Sequence, residues 1–259
     1  MKIIQITDPH LLIPGKSLFG LDTLERLRKC VAHINQHHAD AEFAILTGDI
    51  THHDDEEAYQ AAYNALKFLS MPWYALPGNH DSRTTFPEIF TVSQQKDGFI
   101  QNAFDTEQGR FILLDTLDQG KSSGILCSGR LEWLRQQLLT NPSDKAYIFM
   151  HHPPFPISVP VLDRSGLSNA DIFYDLILPF GSVRHIFAGH VHLPVSGHWH
   201  GIGFTTLLGT HQQSPVTFAC NRFIADVEPP PYGIIFIHDQ GVIIHSHDYM
   251  EKSLFDEYS

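Results

Sequence analysis

Pro77-Gly78-Asn79-His80-Asp81 is the stretch on which the reading of this chain turns. It follows the apolar run Trp73-Tyr74-Ala75-Leu76 and precedes a polar segment. It therefore reads as a strand ending in a tight turn, with polar side chains projecting beyond the strand. Asn, His and Asp in succession suit a core poorly and suit cation binding and proton transfer well. An ordinary polar turn has the same composition, so the distinction rests on whether other segments supply partners.

They do so at other strand ends. Residues 2–7 read as a buried strand (Ile3, Ile4, Ile6) that ends on Asp8-Pro9-His10, and residues 43–47 as another that ends on Gly48-Asp49. Between them, Leu24, Leu27, Val31 and Ile34 have helical spacing over 22–38, with Asp22 or Thr23 as N-cap. His33, His37 and His38 in that helix read as solvated positions. The acidic run Asp54 to Glu57 suits the first turn of a second helix. Ala58, Ala62, Ala65 and Leu69 form its buried stripe and Pro72 stops it. The resulting β-α-β-α-β order predicts parallel strands with crossover helices, and ligands at the strands' carboxyl ends.

Further along, Phe111–Leu114 ends on Asp115, and Ala146–Met150 ends in His151-His152-Pro153-Pro154. His185–Ala188 ends in Gly189-His190-Val191-His192. An x-His-x-His alternation puts both imidazoles on one side if the backbone stays extended. A weaker strand is expected over 99–104, and helices from an N-cap at Ser128 to about 140 and over 172–179. Strands are expected over 194–208, 233–238 and 242–247, the last two antiparallel. The long segment 155–171 reads as a functional loop. The proline-rich 211–232 reads as a loop, a lid or the contact of a homo-oligomer (dimer or higher).

The chain has 259 residues and reads as one domain, 1–259, with 211–259 a C-terminal extension of loop plus β-hairpin. Its formal charge of −12 argues against a nucleic-acid polymer as partner, and leaves a phosphate substrate open because bound cations reverse the local field. No apolar run is long enough to span a bilayer. Cys30, Cys127 and Cys220 lack metal-type spacing and are odd in number, which fits a reducing compartment, and the expected location is cytoplasmic.

Among 18 histidines, the chemistry-bearing set is the one at strand ends: Asp8, His10, Asp49, Asn79, His151, His190 and His192. These oxygen and nitrogen donors suit Mn, Fe, Co or Zn. Seven ligands are too many for one zinc ion. One bridging carboxylate divides them into two sets of four, the requirement of a two-metal hydrolase.

With these motifs assembled in this order, the first 200 residues or so resemble the calcineurin-like metallophosphoesterase superfamily. The branch most similar is that of class III cyclic-nucleotide phosphodiesterases and glycerophosphodiesterases. The resemblance implies an α/β fold, a four-layer αββα sandwich of two mixed β-sheets flanked by helices. It implies two metal ions per chain, one on Asp8, His10, Asp49 and His192 and the other on Asp49, Asn79, His151 and His190. His80 would contact the phosphoryl group or protonate the leaving oxygen, and Asp81 would orient a neighbour. The implied reaction is hydrolysis of a small phosphodiester, a 3',5'-cyclic nucleotide or a glycerophosphodiester, by in-line attack of a metal-bound hydroxide. The alternatives are a phosphomonoesterase such as a nucleotidase, and a non-catalytic scaffold. The chain departs from its neighbours at Ile50-Thr51-His52-His53, whose histidines read as exposed. His152 is left without a role, and Asp115 either orients a histidine or is structural. Substrate choice would fall to Gly15–Leu21, Phe155–Ala170 and His211–Tyr232.

Overall fold

The computed structural model describes residues 1–90, 97–216, 218 and 224–250. Cys220, part of the 211–232 loop and the last nine residues of the expected C-terminal extension lie outside these. The elements run β1 (Lys2–Ile6), α1 (Thr23–His38), β2 (Phe43–Thr47), α2 (Glu56–Leu66), β3 (Trp73–Leu76) and α3 (Phe86–Ile89). There follow β4 (Asn102–Thr106), β5 (Gly109–Leu114), α4 (Ser128–Leu139), β6 (Ala146–Met150), α5 (Pro160–Asp163) and α6 (Ala170–Ile177). Last come β7 (Val183–Ala188), β8 (Val195–Trp199), β9 (Ile202–Thr206), β10 (Pro231–His238) and β11 (Gly241–Asp248).

Two mixed sheets result, ordered β11-β10-β1-β2-β3 and β4-β5-β6-β7-β9-β8. The side-chain alternation of each strand explains the four layers. In β1, Ile3 points to a core between the sheets, while Ile4 and Ile6 point to one packed under α1 and α2. In β6, Tyr147 and Phe149 enter the inter-sheet core, and Ile148 and Met150 face Leu134 and Leu138 of α4 and Phe173 and Ile177 of α6. Strands buried on both faces read as continuous apolar runs, which is how they looked in the sequence. The inter-sheet core is rich in aromatics, with Phe43 edge-on to Phe111 at 5.2 Å and Phe149 stacked on Phe187 at 4.4 Å.

The parallel sets β1-β2-β3 and β5-β6-β7-β9 both end on the loops that carry the strand-end motifs. Asp22 caps α1 by accepting from the Glu25 amide at 2.9 Å. α2 closes at Leu66, so Leu69 is buried beyond the helix rather than on its stripe.

Other expectations are corrected. The N-cap of α4 is Cys127, not Ser128. Burial opposes ionisation of its thiol, but the Arg130 amide and guanidinium outweigh that and lower it. Residues 194–208 are a hairpin, β8 antiparallel to β9, because His200 and Gly201 both take the left-handed conformation that a two-residue turn demands. The weak strand over 99–104 lies at Asn102–Thr106 instead, and the 172–179 helix begins at Ala170. Segment 155–171 is not all loop, since α5 lies within it. β10 pairs antiparallel with β1, making the C-terminal hairpin part of the first sheet. No helix among the described residues is long and apolar enough to cross a membrane.

Candidate metal centre

The strand-end loops converge where the two sheets meet. Gly189 sits so close to the other sheet that a Cβ there would lie 2.1 Å from Thr7 Oγ1 and 2.8 Å from Asp8 Oδ2. A Cβ on Gly78 would fall 2.2 Å from Asp49 Oδ1. Glycine at these two positions lets the loops approach closely enough to share ligands.

The structure brings together all seven residues of the sequence-derived donor set. His10 Nε2 lies 3.2 Å from His192 Nε2 and 3.3 Å from Asp49 Oδ2, and His192 Nε2 lies 3.3 Å from Asp8 Oδ1. His151 Nε2 lies 3.3 Å from Asp49 Oδ2 and 3.2 Å from Asn79 Oδ1. The His151 and His190 rings are 5.0 Å apart. A single oxygen, Asp49 Oδ2, is thus equidistant from a nitrogen of each set. Asp8, His10, Asp49, His151 and His192 are buried, and Asn79 and His190 are half-buried.

Hydrogen bonding behind the rings decides which atoms face the centre. His151 Nδ1 donates to the Thr47 carbonyl at 2.8 Å, and His192 Nδ1 to the Gln212 carbonyl at 3.1 Å. Each Nε2 is then the atom that faces the centre, toward Asp49 and Asn79 for His151 and toward Asp8 and His10 for His192. Oxygens facing these nitrogens at 3.2–3.3 Å are held either by protons on the imidazoles or by cations that take the protons' place. The charges agree. Burial opposes ionisation of Asp49, yet His151 and His10 hold its carboxyl well below the usual range. Burial lowers His151, but Asp49 outweighs it and the imidazole rises to about 9. Burial drives His10 far down and takes His190 to about 3, leaving neutral imidazoles suited to a metal. The residues present fit a pair of metal ions.

The backbone carries strain here. Asp8, His10, Asp49, His190 and His192 all have positive φ, five of the nine non-glycine residues so placed among those described. Left-handed Asp and His are tolerated better than most side chains, at about 1–3 kcal/mol each. This is why His190 and His192 do not extend to one side as an ideal strand end would. His192 turns to Asp8, and His190 turns toward His151.

His80 and Asp81 occupy different places. The His80 amide donates to Asp49 Oδ1 at 2.8 Å, and its Nδ1 donates to the His52 carbonyl at 2.8 Å, so Nε2 is on the opposite side of the ring. The half-buried His80 ring is 4.7 Å from that of His10. Asp81 is buried, and its hydrogen bonds go to residues outside the donor set. It accepts from the Gly78, Ile50 and Thr51 amides and from Tyr59 Oη, tying the Gly48–Thr51 loop to the Gly78–Asp81 turn.

Of the unassigned residues, only His53 is exposed as read. His52 is half-buried, stacked on His80 at 4.8 Å, with its Nδ1 3.3 Å from that of His10. His152 is buried with Nδ1 on Thr116 Oγ1 at 2.8 Å. Asp115 orients no histidine; it takes a two-pronged ion pair from Arg83 at 2.7 and 2.8 Å, and buried Arg130 donates to its carbonyl at 2.9 Å. Sequence reasoning missed His211, which is buried, bonds the Asp8 carbonyl through Nδ1 at 3.2 Å and lies 5.1 Å from the His10 ring. The signal for it was positional: β9 runs parallel to β7, so the segment after Thr206 emerges at the same end as His190 and His192.

Solved structures share this fold. A dimetal phosphatase from Danio rerio superposes with a TM-score of 0.72 at 16% identity, covering 96% of each chain. The calcineurin-like phosphoesterase family model matches residues 1–194, and the chain belongs to that family. A probable cyclic nucleotide phosphodiesterase from Rhodopseudomonas palustris is 34% identical over 255 residues, spanning 96% of this chain and 93% of that one. A probable glycerophosphodiester phosphodiesterase from Arcobacter nitrofigilis is 30% identical, spanning 95% and 92%.

Proposed function

We propose that this chain is a phosphodiesterase that hydrolyses small phosphodiesters at a dimetal centre, with a 3',5'-cyclic nucleotide as first substrate and a glycerophosphodiester as second. The observation that carries the proposal is Asp49 Oδ2, set 3.3 Å from both His10 Nε2 and His151 Nε2 and so placed to bridge two ions. Asp8, His10 and His192 would complete one site, and Asn79, His151 and His190 the other. The names of the Rhodopseudomonas and Arcobacter relatives support the order of substrates. Two divalent ions in this donor set would offset the phosphate's charge and lower the pKa of water towards about 7.

This chain's residues supply the rest. Asp81 holds the two ligand loops in register. Because His80 Nδ1 is committed to the His52 carbonyl, Nε2 is the atom that carries a second proton and passes it to the leaving oxygen. His80→Ala is expected to lower kcat by about 10²–10⁴-fold while metal content, read by elemental analysis, stays at the wild-type value. Loss of both ions in that variant would make His80 a ligand and overturn the assignment.

Chelation is expected to abolish hydrolysis, with Mn²⁺, Fe²⁺ or Co²⁺ restoring it. Activity indifferent to chelator would sink the dimetal reading. The substrate order is tested by comparing cAMP, glycerophosphocholine, glycerophosphoethanolamine and an aryl phosphomonoester on the reconstituted enzyme. Preference for the monoester by kcat/KM would overturn the diesterase assignment.

A further inference from the structure

The histidines of the centre are not all held in the same way. His151 and His192 each commit Nδ1 to a backbone carbonyl, which leaves Nε2 for the centre. His190 is turned round. Its Nε2 lies 2.9 Å from Ser165 Oγ, and its Nδ1 makes no hydrogen bond among the described residues. Ser165 lies just after α5, and no sequence motif marks it.

The protons at this contact can be counted. A serine hydroxyl has one proton, and that of Ser165 lies 3.0 Å from the Leu162 carbonyl, which can only accept. With the proton there, Oγ turns a lone pair to His190, and His190 Nε2 is the donor. In the neutral ring that a metal requires, the remaining lone pair is then on Nδ1. In the reverse arrangement Ser165 would donate to Nε2, the ring proton would sit on Nδ1, and neither nitrogen would be free for an ion.

The surroundings of Ser165 are built to hold it at this place. Val159 and Leu162 of the α5 segment pack on Val191 and Leu193, which alternate with His190 and His192 along the chain. These four residues form an apolar cluster of their own. Beyond α5, the Leu167 amide donates to the Pro153 carbonyl at 3.0 Å, and the Gly124 amide to the Gly166 carbonyl at 3.1 Å. The arm that carries Ser165 is thus packed on the chain beside His190 and tied to the loop that follows His151 and His152. The backbone of His190 is anchored separately, its amide donating to the Asp8 carboxylate at 3.0 and 3.2 Å. Asp8 therefore fixes the backbone of His190, and Ser165 is left to fix the ring.

We propose that Ser165 is a positioning residue for the metal site of Asn79, His151 and His190: it accepts from His190 Nε2, fixes the tautomer of the ring and presents Nδ1 to the ion. Such partners behind a metal ligand set both its orientation and its basicity. The inference rests on the dimetal reading. It also joins Phe155–Ala170, one of the segments expected to choose the substrate, to the affinity of one ion.

The test reads the ring proton directly, by proton–nitrogen correlation NMR of metal-depleted full-length protein carrying isotopically labelled histidine. His190→Asn assigns the signal. Wild type is expected to show His190 protonated at Nε2, Ser165→Ala a mixture of the two tautomers, and Ser165→Thr, which keeps the hydroxyl, the wild-type pattern. In titrations with Mn²⁺ or Co²⁺, Ser165→Ala is expected to bind one of its two ions about 10–100-fold more weakly and the other as wild type does, with Ser165→Thr restoring the affinity. A purely structural serine would change Tm and leave the ring proton where it is. A wild-type ring protonated at Nδ1 would overturn the assignment, as would a Ser165→Ala protein with the wild-type tautomer and wild-type affinity for both ions. Wild-type protein that binds no second ion would overturn the dimetal reading, and this inference with it.

Discussion

Asp49→Asn is expected to lower kcat/KM for a phosphodiester by at least about three orders of magnitude, close to 4 kcal/mol at 1.36 kcal/mol per factor of ten. It is also expected to impair both metal sites together. The substitution keeps the shape of the side chain, and an amide oxygen in the Oδ1 position still accepts the His80 amide. What changes is the other atom. Oδ2 faces two imidazole nitrogens at 3.3 Å each, and an NH₂ group placed there can neither bridge two cations nor supply their negative charge. It also withdraws the charge that most strongly lifts His151 against the cost of its burial. Elemental analysis of the dialysed variant checks the claim. Two ions held at wild-type affinity would refute the bridging role even if activity fell. Loss of one ion alone would place Asp49 in a single site.

The gathering of these donors at one place was legible in the sequence because each is the residue, or nearly the residue, at which an apolar strand stops. β1, β2, β3, β6 and β7 are short and buried, and each hands its polar end to the same edge of the fold. Parallel packing then does what the individual motifs could not. The residues that escaped reading depend on contacts across long separations. His211 enters the site only because β9 lies parallel to β7, whereas 194–208 read as a single strand. Asp115 stood out as another carboxylate at a strand end, but its partners are Arg83 and Arg130, which nothing local connects to it. His33 and His37 occupy helix positions that look solvated until β11, some 210 residues on, brings His247 to them. In each case period and motif gave the element, and the pairing of distant elements gave the contact.

Asp81→Ala is expected to cost about 3–5 kcal/mol of folding stability, a loss at the upper end for a single substitution. Four donors converge on this carboxylate: the Gly78 amide at 2.8 Å, Tyr59 Oη at 2.9 Å, the Ile50 amide at 3.1 Å and the Thr51 amide at 3.2 Å. All are buried, so truncation leaves each one short of its partner, at about 1–3 kcal/mol apiece before relaxation or entry of water. Burial, reinforced by the charge of Asp49, pushes the Asp81 carboxyl up to about 7, and the Gly78 and Ile50 amides and Tyr59 oppose that rise. Cations on Asp49 would remove the repulsion and favour the ionised form. Asp81→Asn is expected to fare only partly better, because its NH₂ group would meet amide donors. The loss reaches function through geometry. Asp81 binds the loop that carries Asp49 to the turn that carries Asn79 and His80, so releasing it loosens all three residues together. Urea denaturation of the metal-depleted proteins isolates the folding term, and metal titration of the same variant isolates the positioning term. A stability loss below about 1 kcal/mol with wild-type metal affinity would mean that the two loops hold their register without Asp81, and that their close approach at Gly48 and Gly78 is sufficient.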